Sequence, residues 1–265
     1  MSKFCNDSRK LLIYLAVKYD GDFTKILTAL QLKEDIDTPY EVVEEVYQSL
    51  KCKTITFLDY DYPERLKKIY RPPLVLFYYG DISLLSDDKK TYGVVGSRKY
   101  SEYGKAVTEK IVSEMPKDSI LVSGLARGID CLAHKEALNN HTRTIAVLGS
   151  GIDNCYPSEN ANLYETIKKE HLLISEYPNA IEPNPANFPQ RNRIIVGLSQ
   201  ALIVPQVNSF QSGTMVSINL ALSISRPIFV APCSIFEDTV NNDLISEGAE
   251  VLKNAQQIVE NLKWN

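Results

Sequence analysis

The sequence predicts a doubly wound α/β domain, built on a mostly parallel sheet of six or more strands and preceded by a small all-helical domain. Three observations carry that prediction. Short apolar runs rich in β-branched residues recur from residue 91 onward, longer amphipathic segments separate them, and most of the runs end in a turn that pairs glycine with a hydroxyl. Continuous apolar strands alternating with helices are buried on both faces, which is the condition of a parallel sheet.

Residues 3–50 show helical spacing, as in LLIYLAVKY (11–19) and EVVEEVYQSL (41–50), with breaks at DGD (20–22) and DTP (37–39). The helical domain is assigned to residues 1–54 and the α/β domain to residues 55–265. The stretch FLDYDYPERLKKIYRPPLVLFYYGD (57–81) is aromatic, is punctuated by Pro63, Pro72 and Pro73, and reads as a lead-in packed against the larger domain. The expected strands are YGVVGS (92–97), SILVSG (119–124), TIAVLGS (144–150), HLLISE (171–176), ALIVP (201–205) and PIFVAP (227–232). Between the first two, Tyr103, Val107, Ile111 and Met115 repeat every four residues, as the inward stripe of a helix does. A last helix is expected over 254–263, with no further domain after it.

In such sheets ligands bind beyond the carboxyl ends of the strands. Four turns there share a character: GSRKYS (96–101), SGLARGID (123–130), GSGIDNCYP (149–157) and QSGTMVSINLAL (211–222). Each offers glycine and a hydroxyl, and two add arginine, whose fork suits phosphate oxygens. A helix N-terminus carries unpaired N–H groups and about half a positive charge, so it is an anion site wherever glycine lets a phosphate approach. One such turn more often serves tight geometry alone. Four along one edge suit an extended polyanion. The turns match neither GxGxxG nor GxxxxGK[ST], which takes support from the two commonest nucleotide readings.

The candidate residues are Gly96, Ser97 and Arg98 in the first turn, Ser123, Gly124, Arg127 and Gly128 in the second, and Ser212, Gly213 and Thr214 in the last. The stretch NFPQRNRIIVGLS (187–199) adds Phe188, Arg191, Asn192 and Arg193 at the start of a helix that Pro189 can open. Cations there oppose the helix dipole, so local helix stability does not account for them. Phe188 is either a hydrophobic staple on its own helix or a ring on which an unpaired base stacks. Arg191 and Arg193 stand two apart and point in different directions, one expected at ligand and the other on a carboxylate. Asp130 and His134, four apart on a helix, read as a hydrogen-bonded pair rather than as a metal or acid/base site.

Composition narrows the class. The chain has 265 residues, 44% hydrophobic and 23% charged, as a globular protein has, and its net charge of −4 argues against a partner held by the field of the whole molecule. Its five cysteines stand singly beside only three histidines, which reads as reduced thiols and no metal. No apolar run reaches the roughly 20 residues of a membrane span, so a cytoplasmic protein is expected.

The segments VVGSRKYSEYG, LVSGLARGIDCLAH, TIAVLGSGIDNCYPSEN, LISEYP, NFPQRNRIIVGLS and SGTMVSINLAL, in this order and spacing, resemble the bacterial DNA-processing protein A (DprA, also called Smf) family over residues 55–252. The resemblance implies an extended Rossmann-like domain behind a sterile-alpha-motif-like helical domain, without the C-terminal winged helix of some members. It implies a non-enzymatic homodimer that binds single-stranded DNA and loads a RecA-type recombinase onto it during natural transformation. Carried over by motif, Gly96, Ser97 and Arg98 would lie at the phosphate backbone, with Arg127, Phe188, Arg191, Asn192 and Arg193 nearby. The family usually has Glu and then a basic residue after ALIV, and Val-Pro-Gly near the sixth strand; here stand Pro205, Gln206 and Gln211, and Ala231-Pro232-Cys233. Those departures weaken Ser212, Gly213 and Thr214 as contacts. The alternative is a phosphoribohydrolase of the LOG type, which needs a Pro-Gly-Gly-x-Gly-Thr turn where SFQSGT keeps only Gly-Thr. Ile218, Leu222 and Ile224 are candidates for exposed apolar dimer contacts.

Overall fold

The structure is a computed structural model and describes residues 7–34 and 37–264. Helices α1 (Ser8–Lys18), α2 (Phe23–Leu32) and α3 (Tyr40–Ser49) precede β1 (Lys53–Thr56), α4 (Glu64–Lys67) and β2 (Val75–Gly80). The alternating part then runs β3 (Thr91–Val94), α5 (Glu102–Glu114), β4 (Ile120–Ser123), α6 (Ile129–Asn139), β5 (Arg143–Val147), α7 (Ala161–Glu170) and β6 (Leu172–Ser175). It closes with α8 (Asn187–Leu198), β7 (Ala201–Val204), α9 (Gly213–Ser223), β8 (Ile228–Val230), α10 (Asn241–Ser246), β9 (Glu250–Val251) and α11 (Ala255–Asn261). Several helices start where a short polar side chain satisfies a first-turn amide: Asp22 for α2, Ser101 for α5 and Asn254 for α11.

The strands form one sheet in the order β1-β2-β6-β5-β4-β3-β7-β8-β9. Pairing is parallel from β6 to β9, and β2 alone runs against the rest, antiparallel to both β6 and β1. All six expected strands form. The aromatic lead-in does more than pack against the sheet, because its VLFYYG segment is β2 and pairs with β6. Strand β1 spans the 54/55 division expected between domains, and β9 is too short to leave a pattern in the sequence.

Alternate strand residues feed two faces. Val122, Val147 and Val204 pack with Ile194, Ile195 and Leu198 of α8 and with Ala221 of α9. Leu121 and Ile203 pack on the other face with Ile111 and Val112 of α5 and Ala133 of α6. The N-terminal helices join this second layer: Leu12, Ile13, Ala16 and Ile26 share a cluster with Val75 and Phe77 of β2 and Ile167 of α7.

Ile111 and Met115 of the α5 stripe are buried, but Tyr103 is exposed, its hydroxyl donating to the Pro232 carbonyl at 2.6 Å. The first turn of α5 stands at the sheet's rim, where no strand lies beneath it. Of the three candidate dimer residues, Ile218 is core, Ile224 is partly buried against it, and Leu222 alone is exposed, at 63%. Ile218 shares the sheet-facing side of α9 with Ala221. Cys52, Cys131, Cys155 and Cys233 are free thiols, and Cys5 lies outside the described residues. Among the described residues no helix is long and apolar enough to cross a membrane.

Ile13 is fully buried at the junction of helices and sheet, and Ile13→Ala is expected to cost about 2–5 kcal/mol. The single tryptophan, Trp264, packs in the α5/α11 layer far along the chain. Urea unfolding read by its fluorescence should shift as far as unfolding read by far-UV circular dichroism. A Trp264 transition left unmoved would mean that the helices unfold on their own.

Candidate nucleic-acid interface

From β3 the chain steps through β4, β5 and β6 on one side and then returns to β7 on the other. The loops leaving β3 and β7 diverge at this reversal, which opens a crevice at the carboxyl rim. A cleft of about 610 Å³ lies there. The turns after β5, β4, β3 and β7, the four singled out in the sequence, stand side by side along this rim.

The turn after β3 is held by the chain after β7. Ser97 N–H donates to the Gln206 carbonyl at 2.8 Å, and Ser101 N–H donates to the Gln206 Oε1 at 2.9 Å. Gln206 Nε2 donates to Asn208 Oδ1 at 2.9 Å, and Asn208 Nδ2 to the Lys99 carbonyl at 2.9 Å. The glutamine that departs from the family pattern is thus a buried brace under the first turn. Arg98 and Lys99 project from that turn into solvent, and among the described residues neither makes an ion pair. The Arg98 guanidinium lies 5.9 Å from the centre of the Phe188 ring.

Helix α8 supplies the opposite wall. Arg191 is buried and donates to the Gly124 carbonyl at 2.5 Å and to the Val147 carbonyl, so it spans the carboxyl ends of β4 and β5. Burial pulls its pKa down to about 10, with the Asp130 carboxylate opposing that fall, so it stays a cation at neutral pH. Burial likewise pushes Asp130 up, with Arg191 the chief opposing charge. Asn192 accepts from Arg191 Nε at 3.1 Å and donates to the Gly213 carbonyl at 3.2 Å, tying α8 to the start of α9. Glycine serves these side chains. A Cβ on Gly124 would stand 2.5 Å from the Arg191 guanidinium, and one on Gly149 would stand 2.7 Å from the Phe188 ring.

Two residues on, Arg193 points away from the cleft, since a two-residue step turns a helix by about 200°. It donates to both oxygens of Glu176 at 2.6 Å, each side chain only 7% exposed, and to the Arg71 carbonyl at 2.8 Å. The split between a cleft-lining and a carboxylate-bound arginine is therefore present, but the cleft-lining one is itself engaged by backbone.

The remaining candidates divide. Ser212, Gly213 and Thr214 line the cleft at the start of α9, where the Ser212 side chain makes no capping bond and a Cβ on Gly213 would meet nothing within 4 Å. Ser123 is turned inward, its hydroxyl donating to the Val94 carbonyl at 2.7 Å. Gly128, at φ +83°, lets α6 close on the first turn, where Ile129 N–H donates to the Ser97 carbonyl at 3.1 Å. Arg127 is exposed and paired with Glu159 at 2.8 and 2.9 Å. Asp130 and His134 bond to different partners: Asp130 accepts from Gly124 N–H, while His134 Nδ1 bonds Thr144 Oγ1 at 2.8 Å. Burial drives the His134 pKa down to about 3.

Three residues that the sequence reading passed over also line the cleft: Lys99, Tyr156 and Asn208. The Tyr156 ring sits 5.6 Å from that of Phe188, tilted by 43°. Lys99 directly follows Arg98, and Tyr156 ends the third glycine turn, so both carried a signal. Asn208 carried none.

A family model described as DNA recombination-mediator protein A matches residues 53–263. The chain is 38% identical over 242 residues to the DNA processing protein DprA of Bacillus subtilis (strain 168), covering 89% of this chain and 81% of that protein. The X-ray structure of DNA processing protein A (DprA) from Streptococcus pneumoniae matches with a TM-score of 0.83 at 33% identity, over 97% of this chain and 98% of that one. DNA processing protein A from Helicobacter pylori, whose structure describes a unique single-stranded DNA binding mode, matches with a TM-score of 0.72 at 30% identity, over 81% and 97% of the two chains.

Arg193→Ala strands the buried Glu176 carboxylate and is expected to cost about 3–5 kcal/mol in urea unfolding. Arg127→Ala breaks an exposed pair and should cost no more than about 1 kcal/mol. Stability should also decline as pH falls below 6.5, the ordinary value for histidine, because the unfolded chain takes up a proton that buried His134 refuses until about pH 3. Following the unfolding midpoint from neutral to acid pH checks this, and His134→Gln should flatten the decline.

Proposed function

The chain belongs to the DNA recombination-mediator protein A family, and from that premise we propose that its rim cleft binds single-stranded DNA, which the protein, acting as a homodimer, passes to a RecA-type recombinase. The observation that carries the DNA reading is one juxtaposition: Arg98, free of any ion pair among the described residues, stands beside the Phe188 ring and faces the uncapped start of α9. Phosphate oxygens take the Arg98 fork and the first-turn amides around Ser212, Gly213 and Thr214, while the Ser97 hydroxyl, which donates to the Lys99 carbonyl at 2.6 Å, shapes the turn that presents Arg98. An unpaired base lies on Phe188.

The other candidates have supporting roles on this reading. Arg191 and Asn192 fix α8 against the strand ends, and Gly96, Ser123, Gly124 and Gly128 let the turns close around them. Arg193 holds the far side of α8 through Glu176. Single strands are favoured because stacking on a side chain needs a base face that a duplex keeps occupied. Two clefts in a homodimer would act on one strand together, which compensates for the modest affinity expected of a chain with net charge −4. Binding and hand-over break no covalent bond, so the reading requires no nucleophile and no cofactor.

Fluorescence anisotropy with labelled oligothymidylate, compared with duplex of equal length, tests the proposal. Arg98→Ala should weaken binding and flatten the salt dependence by about 0.7 in log–log slope, the share of one phosphate on a single strand. Phe188→Ala should lose about 1–3 kcal/mol of affinity. Both variants binding as tightly as wild type at low salt would exclude the cleft. Release of free base from nucleoside monophosphates would instead point to a phosphoribohydrolase.

A further inference from the structure

Arg98, Phe188 and Tyr156 line not only the cleft but also a shallow recess of about 20 Å³ that adjoins it, walled by Gly124, Arg127 and Pro157. We infer that the surface around this recess, which is too small to enclose a base, is a second nucleotide subsite, in which the exposed part of Tyr156 takes the neighbouring base and Arg127 takes the phosphate between the two bases, with Glu159 as a built-in competitor for Arg127. The inference rests on the cleft being the first subsite, as proposed above.

The rings come first. Tyr156 touches another ring yet keeps 41% of its surface exposed. Its plane is tilted 43° from that of Phe188, so bases laid on the two rings cannot stay parallel to each other. A splayed strand fits this pair; a stacked one does not. The loop that carries Tyr156 is also fixed in place. Asn160 donates to the Leu125 carbonyl at 3.0 Å and accepts from the Cys131 thiol at 3.1 Å, which fastens the turn after β5 to the turn after β4.

Arg127 sits at the mouth of the recess with its side chain 56% exposed, and Glu159 is 54% exposed. Its Nε and Nη2 donate side by side to the two carboxylate oxygens. A phosphodiester presents two oxygens to the same fork. An exposed pair of this kind is held weakly, so exchange of carboxylate for phosphate needs only a side-chain swing by Glu159. Glu159 also leaves a negative charge where the incoming phosphate must settle. It lies three residues from Tyr156, so platform and competitor belong to one loop.

The decisive variant is therefore one that gains affinity, which a damaged fold does not imitate. Anisotropy of the full chain with a labelled thymidine mononucleotide and with an oligothymidylate long enough to cover both subsites should separate the two. Glu159→Gln is expected to tighten the long oligomer about 2- to 5-fold, the range of one exposed ion pair, and to leave the mononucleotide unchanged. The gain should vanish in an Arg127→Ala background. Tyr156→Ala should weaken the long oligomer about 5- to 150-fold, the range for one stacked base, while Tyr156→Phe binds like wild type. Equal binding by Glu159→Gln and wild type at both lengths overturns the inference, as does an equal gain with and without Arg127. Failure of Arg98→Ala to weaken the mononucleotide would sink the cleft itself; a weakening there beside an inert Glu159→Gln sinks only the second subsite.

Discussion

One buried guanidinium sets the geometry of the rim. Carbonyls at the carboxyl ends of β4 and β5 lie where strand pairing stops, and buried carbonyls left without donors cost free energy. Arg191 supplies those donors to Gly124 and Val147 in a single stroke, and its own charge is met by buried Asp130. An unpartnered cation at that depth would cost several kcal/mol. Because Arg191 belongs to α8, the same bonds fix the height at which α8 crosses the strand ends. Phe188 then comes to rest on Gly149, and Asn192 reaches the carbonyl of Gly213. The cleft is the space left once these contacts are made.

This arrangement gives the rim glycines a different physical reason from the one their sequence suggests. Gly124 and Gly149 look like places for a phosphate to approach backbone, yet the room they leave is filled from within, by Arg191 and by Phe188. Gly96 is similarly close-packed, against Ile129 and the Gln206 carbonyl. Only Gly213 keeps open space around it. Backbone amides at the rim are therefore accessible at the start of α9, in the loop where the sequence departs from its family. The departure at Gln206 is compatible with the site because the side chain acts beneath the turn, on Ser101 and Asn208, rather than at its surface.

How much of this the sequence reveals follows from the range of the interactions. The six parallel strands are legible because burial on both faces writes a continuous apolar run, and their order of appearance with helices dictates the winding. Strand β2 is hidden behind Pro72 and Pro73 in an aromatic stretch whose pattern suits a loop as well as a strand. The cleft's position is legible from the turns, and the roles of its arginines are not. Arg191 and Arg193 read alike in the run FPQRNR, but each is assigned by partners far along the chain: Gly124 and Val147 for one, Glu176 and Arg71 for the other. Spacing discloses that two residues face apart. It does not disclose what waits on either side.

The same sorting by partners explains how a slightly acidic chain offers a place for a polyanion. Four arginines gather near the rim, and three of them meet carboxylates: Arg191 near Asp130, Arg193 on Glu176 and Arg127 on Glu159. Arg98, whose charge also acts on Asp130 from a distance, and its neighbour Lys99 stay exposed and make no ion pair among the described residues. A surface with so few open cations exerts only a short-range field, since exposed charges are screened beyond about 8–10 Å. Duplex and single strand present comparable phosphates to such a field, so charge alone separates them poorly. On the proposed reading the rings separate them, because a base must leave its stack to lie on Phe188, and the tilt between Phe188 and Tyr156 keeps bases laid on the two rings from forming a parallel pair. On that proposed reading, selectivity for an unpaired strand therefore resides in the aromatic wall of the cleft, and the cations hold the backbone that the wall has selected.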